Sequence, residues 1–431
     1  MANENSTKEI ERQVRDLRAL LDVSKAMSSE THLDSLLQVI MKKATEVIDA
    51  DRSSLFLYDA TSNKLWSKIA QKLGRIKEIR FPVGVGIAGE VAKTRKVINI
   101  PNAYEDPRFN PDYDKQTGYR TSSILCLPLL GIDGKLVGVI QVLNKKGGGV
   151  FGQRDESLLE ALGSHAAVAL ERARLTEAYV EKQRIEESLR LASDIQMSML
   201  PQIFPPFPDR SEFDIFATIK PAKEVGGDFY DFFFIDPDNL YFCIGDVSGK
   251  GVPASLFMAV TKTLIKAIAT RNMHPDEILT RVNRELCKDN DAMMFVTIFS
   301  GILDTKTGEM YYSNGGHNLP YLINQNEGIS ALADCPGLAL GIHEEAVYKR
   351  RKVTLHAGDW IFLYTDGVTE AMDIHKNLFS DERLMNLLED QKHHGPEESL
   401  TKTLNELKNF SSGAPQADDI TMLALKYRNN G

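Results

Sequence analysis

The sequence has few cysteines and no paired cysteine motif. Its 431 residues contain only Cys126, Cys243, Cys287 and Cys335, and none of them forms a CxxC pair. Neither a zinc knuckle nor a disulfide framework is therefore indicated. The four thiols are expected to be small buried side chains.

Long hydrophobic runs and an excess of positive charge are also absent. No stretch approaches the roughly 20 apolar residues of a membrane span, and the polar N-terminal segment MANENSTKEIERQ has no signal-peptide core. The net charge of −9 argues against a nucleic-acid-binding surface. We therefore expect a cytoplasmic protein of two or three domains with no membrane or nucleic-acid partner.

The second half contains four short segments that place aspartate beside glycine or another small residue. They read VGGDFYDFF (225–233), FCIGDVSGKG (242–251), FLYTDGVTE (362–370) and ADDIT (417–421). Three of them follow or lie within strand-like runs, which predicts carboxylates at strand ends. Because clustered acids raise one another's pKa, they need cations, and an oxygen-only ligand set suits Mg²⁺ or Mn²⁺ better than zinc. The residues thus predict a metal-dependent hydrolase.

The first 170 residues predict an α+β unit with helices at both ends. Two amphipathic helices are separated by a break at residues 28–31, and the first has apolar residues at a 4-3-4 spacing: Ile10, Val14, Leu17 and Leu21. Five strand-like segments follow: SSLFLYD, IKEIRFPV, KVINIP, SSILCLPLL and LVGVIQVLN. A helix is then predicted from Asp155 through Leu170.

A connecting helix is predicted between the two halves. Its heptad-spaced residues are Leu175, Ala178, Lys182, Ile185, Leu189, Ala192, Gln196 and Met199. Because Lys182 and Gln196 occupy core positions, two interpretations remain open: a solvated connector, or a marginal coiled coil that acts as a switch. The prolines of LPQIFPPFPD (200–209) must end this helix.

The chain is accordingly divided into an N-terminal helix, a sensor domain, a linker helix and a catalytic domain. The expected ranges are 1–31, 32–172, 173–203 and 204–431. The catalytic domain is predicted to mix strands with helices at 253–270, 275–288, 381–389 and 396–410.

Five motifs in the second half carry a family resemblance. KPAKEVGGDFYDFF, GDVSGKGVPASLFMA, YSNGGHNLPYL, YTDGVTEA and DDITML occur in this order over residues 213–427. Together they resemble the metal-dependent protein phosphatases of the PPM family, and more narrowly their SpoIIE-like branch. The resemblance implies an α-β-β-α sandwich with two Mn²⁺ or Mg²⁺ ions at one edge, where an activated water attacks phosphorus.

The resemblance implies specific roles for particular residues. Asp246 matches the aspartate that bridges both metals, and Asp228 matches the acidic ligand of the second metal; these two form the implied catalytic pair. The implied metal ligands are Asp228, Asp246, the backbone carbonyl of Val247, Asp366, Asp418 and, as the less certain member of its pair, Asp419.

One position departs from the family pattern. Many eukaryotic members carry a histidine, thought to donate a proton to the leaving group, where this chain has Ser248. His317 in SNGGHNLP is a candidate replacement, although a structural or phosphate-positioning role in a glycine-rich turn is favoured. Metal-bound water is the other candidate proton source.

The first half resembles a GAF domain, a small-molecule-sensing fold. The supporting segments are FPVGVGIAGEVAKTRKVINIPNAYEDPRF (81–109), GYRTSSILCLPL (118–129) and GVIQVLNK (138–145). The GxGxxG pattern in the first segment is explained by the GAF motif, because no βαβ unit surrounds it as a dinucleotide site would require.

A five-residue signature extends this resemblance. Asn144, Lys145, Phe151, Asp155 and Glu156 match the NKFDE pattern of GAF domains that bind cyclic nucleotides. In that family the residues brace the domain through a Lys–Asp pair. A cyclic nucleotide is thus one implied ligand; the alternative is a GAF domain that senses another molecule or only dimerises.

The resemblances imply a serine/threonine phosphatase that its GAF domain regulates through the linker helix, in a homodimer. The implied substrate is a phosphoserine or phosphothreonine on a small partner such as an anti-anti-sigma factor of the STAS type. Two alternatives remain. One is a catalytically inert sensor and scaffold, and the other is a nucleotide hydrolase, although the catalytic half shows no base-recognition pocket.

Overall fold

The computed structural model describes residues 2–67, 79–324 and 327–428. The chain forms two compact units, Met1–Arg184 and Ile185–Gly431. Each unit has its own hydrophobic core, as expected for a chain of this length.

The first unit contains one sheet and helices on both of its faces. Its helices are α1 (Ala2–Ser29), α2 (Leu33–Ile48), α3 (Gly86–Thr94), α4 (Asp112–Thr117) and the beginning of α5 (Gln153–Met199). Its strands are β1 (Ala50–Asp59), β2 (Lys64–Ser67), β3 (Ile79–Pro82), β4 (Ile98–Ile100), β5 (Ile124–Leu130) and β6 (Leu136–Lys145).

The six strands pair antiparallel in the order β3-β2-β1-β6-β5-β4. On one face α2 and α5 bury Leu36, Ile40, Leu159 and Leu162 against the sheet. On the other face α3 packs its apolar side against Phe56 and neighbouring strand residues. The described part of this unit is therefore an α+β domain with a helix at each end, as predicted.

The second unit contains two sheets. Its helices after α5 are α6 (Val252–Ile268), α7 (Pro275–Cys287), α8 (Asp366–Thr369), α9 (Ser380–Gln391) and α10 (Pro396–Phe410). Its strands are β7 (Phe213–Lys220), β8 (Phe229–Phe234), β9 (Asn239–Val247), β10 (Val296–Asp304), β11 (Glu309–Gly315), β12 (Tyr321–Asn324), β13 (Gly328–Ala331), β14 (Arg351–Thr354), β15 (Trp360–Tyr364) and β16 (Ile420–Tyr427).

The two sheets pack face to face between helices. Their strand orders are β14-β11-β10-β9-β8 and β13-β12-β15-β16-β7. The largest core joins strand residues of both sheets, such as Phe242, Phe299 and Leu423, with residues of α6 and α7. A separate core lies between the second sheet and α9 and α10. This arrangement confirms the predicted α-β-β-α sandwich.

Helix α5 differs from the predicted division into two segments. The sequence predicts a helix ending at Leu170 and a separate linker from residue 173, whereas the structure has one helix from Gln153 to Met199. It ends at the residue before Leu200, at the start of the proline-rich segment, as predicted.

Three further predictions from the sequence can be compared with the structure. All four cysteines are free, and Cys126, Cys243 and Cys335 are buried as expected. The predicted strand IKEIRFPV begins outside the described residues, and its described part is β3. Within the described ranges, no helix has the length and apolar character needed to cross a bilayer.

Candidate functional site

The four aspartate segments meet at one edge of the sandwich because of strand register. Phe229 of β8 pairs with Gly245 of β9, so the residues that adjoin this pair, Asp228 and Asp246, lie on neighbouring strands. In the second sheet, the end of β15 pairs with the start of β16. This antiparallel pairing brings Asp366 next to the Asp418–Asp419 pair.

Asp228 and Asp246 form the most strongly perturbed pair. Asp228 is only 1% exposed, and the Thr365 hydroxyl donates a hydrogen bond to its Oδ2 over 2.7 Å. Burial and the charge of Asp246 raise the pKa of Asp228 well above its usual range. Burial, followed by the charge of Asp366, raises the pKa of Asp246 to about 7. Such an environment favours either a proton or a cation on this pair.

Asp366 and Asp418 complete the acidic group. Burial and the charge of Asp418 raise the pKa of Asp366. The ammonium of Lys250 lies 2.8 Å from Asp418 Oδ2 and donates to the carbonyl of Ala417 at 2.5 Å. One lysine therefore partly compensates the negative charge on the open side of the group.

Asp419 faces the loop that precedes β8. Its Oδ1 accepts a hydrogen bond from Ala222 N at 2.7 Å, and its Oδ2 accepts one from Gly227 N at 2.8 Å. Both oxygens of this buried carboxylate thus hold backbone N–H groups. The side-chain contacts of Asp419 thus differ from those of Asp418, although the sequence predicts both as metal ligands and the charge of Asp419 also raises the pKa of Asp228 and Asp246.

Glycine is required where this loop approaches the neighbouring strand. A Cβ on Gly227 would lie 2.8 Å from the carbonyl oxygen of Val247, the backbone group predicted to bind metal. A Cβ on Gly226 would collide with the carboxylate of Asp419. The Gly-Gly pair therefore allows Asp228 to approach Asp246.

The donor set fits hard divalent cations. Asp228, Asp246, Asp366, Asp418 and the Val247 carbonyl supply only oxygen ligands, which Mg²⁺ and Mn²⁺ prefer. Among the described residues, no three His, Cys, Asp or Glu side chains are already arranged as a closed metal cluster. Burial, together with the charges of neighbouring aspartates, raises the pKa values of Asp228 and Asp246 and is the physical reason for a cation here.

Ser248 and His317 are both engaged in structural contacts. The Ser248 hydroxyl accepts a hydrogen bond from Phe295 N at 3.0 Å. His317 is buried, and its Nε2 lies 3.1 Å from the carbonyl of Tyr364, to which it must donate. Its Nδ1 then accepts from the Thr297 hydroxyl at 2.9 Å. Since burial lowers the pKa of His317 to about 4, the imidazole is neutral at pH 7.

Gln196 near the end of α5 contacts the Gly-Gly loop. Its side-chain Nε2 donates to Gly226 O at 2.8 Å, and Gly226 N donates to its Oε1 at 3.2 Å. The sequence places Gln196 at a poor heptad core position. In the structure it is buried against the backbone of the second unit. A polar residue within an apolar repeat was the only sequence signal for this contact.

The first unit contains a cavity of about 340 Å³ between the sheet, α3 and α4. Its lining includes Arg52, Phe56, Phe81 and Asp114. Asp114 is buried and accepts hydrogen bonds from Thr121 N and Oγ1 at 2.7 and 2.8 Å. The volume is within the range of small-molecule sites.

The five NKFDE residues brace this unit and do not line the cavity. Lys145 Nζ lies 2.9 Å from Asp155 Oδ1 and donates to Ile48 O at 2.6 Å. Asn144 Oδ1 accepts from Ser122 N at 2.6 Å. In this structure, these contacts of the signature residues are with the scaffold of the first unit.

Phe151 and Glu156 complete the brace. The Phe151 side chain is buried in the core beneath α5. The Asn99 amide donates both to Phe151 O at 2.9 Å and to Glu156 Oε1 at 2.8 Å, which fixes the start of α5 to β4.

Two residues near the acidic group were not predicted. Thr365 binds Asp228, and Lys250 binds Asp418. Both are adjacent to predicted motif residues, in YTDG and SGKG, but a threonine or a lysine in a loop gives no distinct sequence signal.

Comparisons with known proteins agree with this architecture. Residues 236–428 match the family model Stage II sporulation protein E (SpoIIE), and residues 32–170 match the GAF domain model. Phosphoserine phosphatase RsbU of Bacillus subtilis is 29% identical over 251 residues, which cover 57% of this chain and 72% of RsbU.

Two further comparisons show where the likeness is partial. The probable 3',5'-cyclic phosphodiesterase pde-5 of Caenorhabditis elegans is 39% identical over 188 residues, which are 41% of this chain and only 25% of that protein. The structure of the SiaA-PP2C domain of Pseudomonas aeruginosa matches with a TM-score of 0.51 and 24% identity. This match covers 57% of this chain and 98% of that structure, and it supports the fold. The chain therefore carries a GAF domain at residues 32–170 followed by a SpoIIE-family domain at residues 236–428.

Proposed function

We propose that this chain is a metal-dependent protein serine/threonine phosphatase regulated through its GAF domain. The observation that carries the proposal is the convergence of Asp228, Asp246, Asp366 and Asp418, with raised pKa values at the first three. The resemblance to the phosphoserine phosphatase RsbU supports the same reaction class.

Two Mn²⁺ or Mg²⁺ ions would be held by these four carboxylates and the Val247 carbonyl. Such ions supply Lewis acidity and lower the pKa of water at the site. Asp246 and Asp228, the most strongly perturbed pair, would be among the residues that hold these ions.

The surrounding residues position this group. Thr365 orients Asp228 through its hydroxyl, and Lys250 balances the charge of Asp418. We assign Asp419 to holding the Gly-Gly loop, because both its oxygens already accept backbone hydrogen bonds. The neutral, fully bonded His317 is assigned a structural role, which leaves water as the proton source for the leaving alkoxide.

The proposed substrate is a phosphoserine or phosphothreonine on a cytoplasmic signalling partner, such as a STAS-type anti-anti-sigma factor. The proposed GAF ligand is a cyclic nucleotide in the 340 Å³ cavity. The match to a protein named as a 3',5'-cyclic phosphodiesterase and the complete NKFDE signature support this ligand class.

A homodimer is the proposed assembly. Large apolar side chains are exposed along α1 and α5, among them Leu17 (60%), Leu21 (57%) and Leu175 (67%). Pairing with a second copy would cover them. A chain of monomeric mass in light scattering at micromolar concentration would contradict this assembly, whereas a dimer that L17E/L21E converts to monomers would support it.

The decisive experiment combines metal, substrate and ligand. Turnover of an aryl phosphate and of phosphoserine peptides is followed with Mn²⁺ while cyclic AMP or cyclic GMP is titrated. We expect Mn²⁺-dependent turnover that the Asp246→Asn variant loses and the exposed-residue control Asp209→Asn retains. A protein without turnover on either substrate would be an inert scaffold, and hydrolysis of the cyclic nucleotide alone would make it a nucleotide hydrolase. Turnover that ignores both nucleotides would remove only the ligand assignment.

A further inference from the structure

A second cleft opens on the first unit, away from the 340 Å³ cavity. It has a volume of about 730 Å³ and lies between the β1–β2 turn, the end of α3, the β5–β6 turn and α5. The two cavities share no lining residue. Neither the GAF signature nor the proposed ligand site accounts for this cleft.

The charged side chains that line this cleft are mostly cationic. Lys93, Arg95, Lys135 and Arg174 line it, against the single carboxylate of Asp59. In a chain with a net charge of −9, four cations around one opening form a distinct local field. We call this site the basic cleft.

Three of these cations have no carboxylate partner among the described residues. Arg174 is half-buried, and its guanidinium makes only a long contact of 3.4 Å to the carbonyl of Tyr58. Arg95 reaches the carbonyl of Gly134 at 3.3 Å, and Lys93 is exposed at the end of α3. Lys135 differs, because it already pairs with Asp133 at 2.6 Å.

Arg174 differs from the other three cations because its side chain is partly buried. Burial lowers the pKa of its guanidinium, but an arginine remains charged at neutral pH. The charge of Asp59 acts on this guanidinium without forming an ion pair with it, so an approaching anion would offset more of the cost of burying its charge. Its planar donors face a cleft whose other exposed cations can hold the remaining oxygens of a polyvalent anion.

We propose that the basic cleft binds a phosphorylated small molecule through Arg174, Lys93 and Arg95. Trp66 and Tyr58 line the same cleft and offer aromatic surface beside the phosphate group. Because Arg174 belongs to α5, this ligand would act on the helix that continues to Met199. The GAF domain would then have two inputs: the cavity and the basic cleft.

The test uses the full chain, stripped of metal with EDTA, and inorganic pyrophosphate as the probe. Without metal the acidic group in the second unit repels anions, so it does not compete. Trp66 lines the cleft, whereas the other tryptophan, Trp360, is fully buried in the second unit, so a change in fluorescence on adding pyrophosphate is assigned to Trp66. Calorimetry in low salt provides an independent dissociation constant.

We expect saturable binding that weakens about tenfold or more in Arg174→Gln and in the double variant K93Q/R95Q, since each loses a charge-assisted hydrogen bond. The matched control Lys96→Gln removes an exposed charge beside Arg95 that does not line the cleft. This control and Arg52→Gln, in the other cavity, should keep the wild-type constant. The double variant alters only exposed side chains, so it remains informative if Arg174→Gln unfolds.

Two results would overturn the proposal. The first is the absence of saturable binding at millimolar pyrophosphate. The second is binding that Arg52→Gln abolishes while K93Q/R95Q retains it, which would place the anion in the 340 Å³ cavity.

Discussion

Gln196 and Gly226 exchange two hydrogen bonds, one in each direction, between a side-chain amide and a backbone peptide. The Nε2···O distance is 2.8 Å and the N···Oε1 distance is 3.2 Å. Gly226 lies two residues before Asp228, so the end of α5 fixes the loop that carries this carboxylate. The contact links the helix that leaves the GAF domain to the proposed metal site.

Replacing Gln196 with alanine should lower phosphatase activity about 10- to 100-fold, as for other residues that support metal ligands. The buried N–H and C=O of Gly226 would lose their partners, which costs about 1–3 kcal/mol of unfolding free energy. Steady-state kinetics against Mn²⁺ concentration and urea unfolding measure both effects. Gln183→Ala, on an exposed turn of the same helix, is the matched control.

Leucine substitutions at positions 182 and 196 distinguish the Gln196–Gly226 contact from a coiled-coil switch. A coiled-coil switch would be locked at one activity level by Lys182→Leu and Gln196→Leu together. If Gly226 is the partner that matters, Gln196→Leu alone lowers activity and Lys182→Leu does not. Equal effects of the two single variants would favour the coiled coil instead.

Asp418 and Asp419 should differ in their roles despite their adjacency. Asp418→Asn is expected to weaken Mn²⁺ activation, because it removes a carboxylate from the acidic group. Asp419→Asn should chiefly reduce stability, since its side chain holds Ala222 N and Gly227 N. The apparent Mn²⁺ constant and the melting temperature of each variant separate these effects. Equal losses of Mn²⁺ affinity would show that Asp419 is also a ligand.

The contribution of Asp246 to the stability of the metal-free protein should fall as the pH rises from about 4 to about 7. The pKa of Asp246 is raised to about 7, above the value of about 3.9 in an unfolded chain. The folded state therefore binds more protons in this interval, and its extra stability disappears as the pH passes through the folded pKa.

Melting curves of wild type and Asp246→Asn in EDTA test this sign. The variant should melt higher than wild type at pH 7.5 and at the same temperature near pH 4. Each kcal/mol corresponds to about 2–4 °C for a unit of this size. Mn²⁺ should restore the wild type at pH 7.5 but not the variant. A variant that melts lower than wild type in EDTA would contradict the proposed carboxylate repulsion.

His317 should contribute to stability without setting the pH profile of turnover. Burial lowers its pKa to about 4, below the value of about 6.5 expected when unfolded. Its contribution to stability is therefore complete above pH 6.5 and is lost as the pH falls towards 4. His317→Gln should reduce the melting temperature and leave the acid limb of the pH–rate profile in place. A lost or shifted limb would identify His317 as a proton donor.

The fold and most of the acidic group could be predicted from the sequence for a local reason. Strand register follows from short alternating apolar segments, and the aspartates lie at the ends of these segments. Helices α6, α7 and α10 agree with their predicted ranges to within about two residues, because a proline lies in the first turn of each.

The remaining features depend on tertiary contacts. Nothing in the sequence around Gln196 shows that its amide meets a backbone group 30 residues further along the chain. The separate orientations of Asp418 and Asp419 arise from the packing of the Gly-Gly loop. The positive charge of the basic cleft likewise comes from three segments that are distant in sequence.

The burial of the cysteines gives each unit an internal chemical reporter. Cys126 is enclosed in the first unit, and Cys243 is enclosed between the elements of the second. Burial raises the pKa of both thiols, so alkylation in the native state must wait for a local opening. With Cys287 and Cys335 of the second unit replaced by serine, the alkylation rates of Cys126 and Cys243 would report the opening of the two units separately.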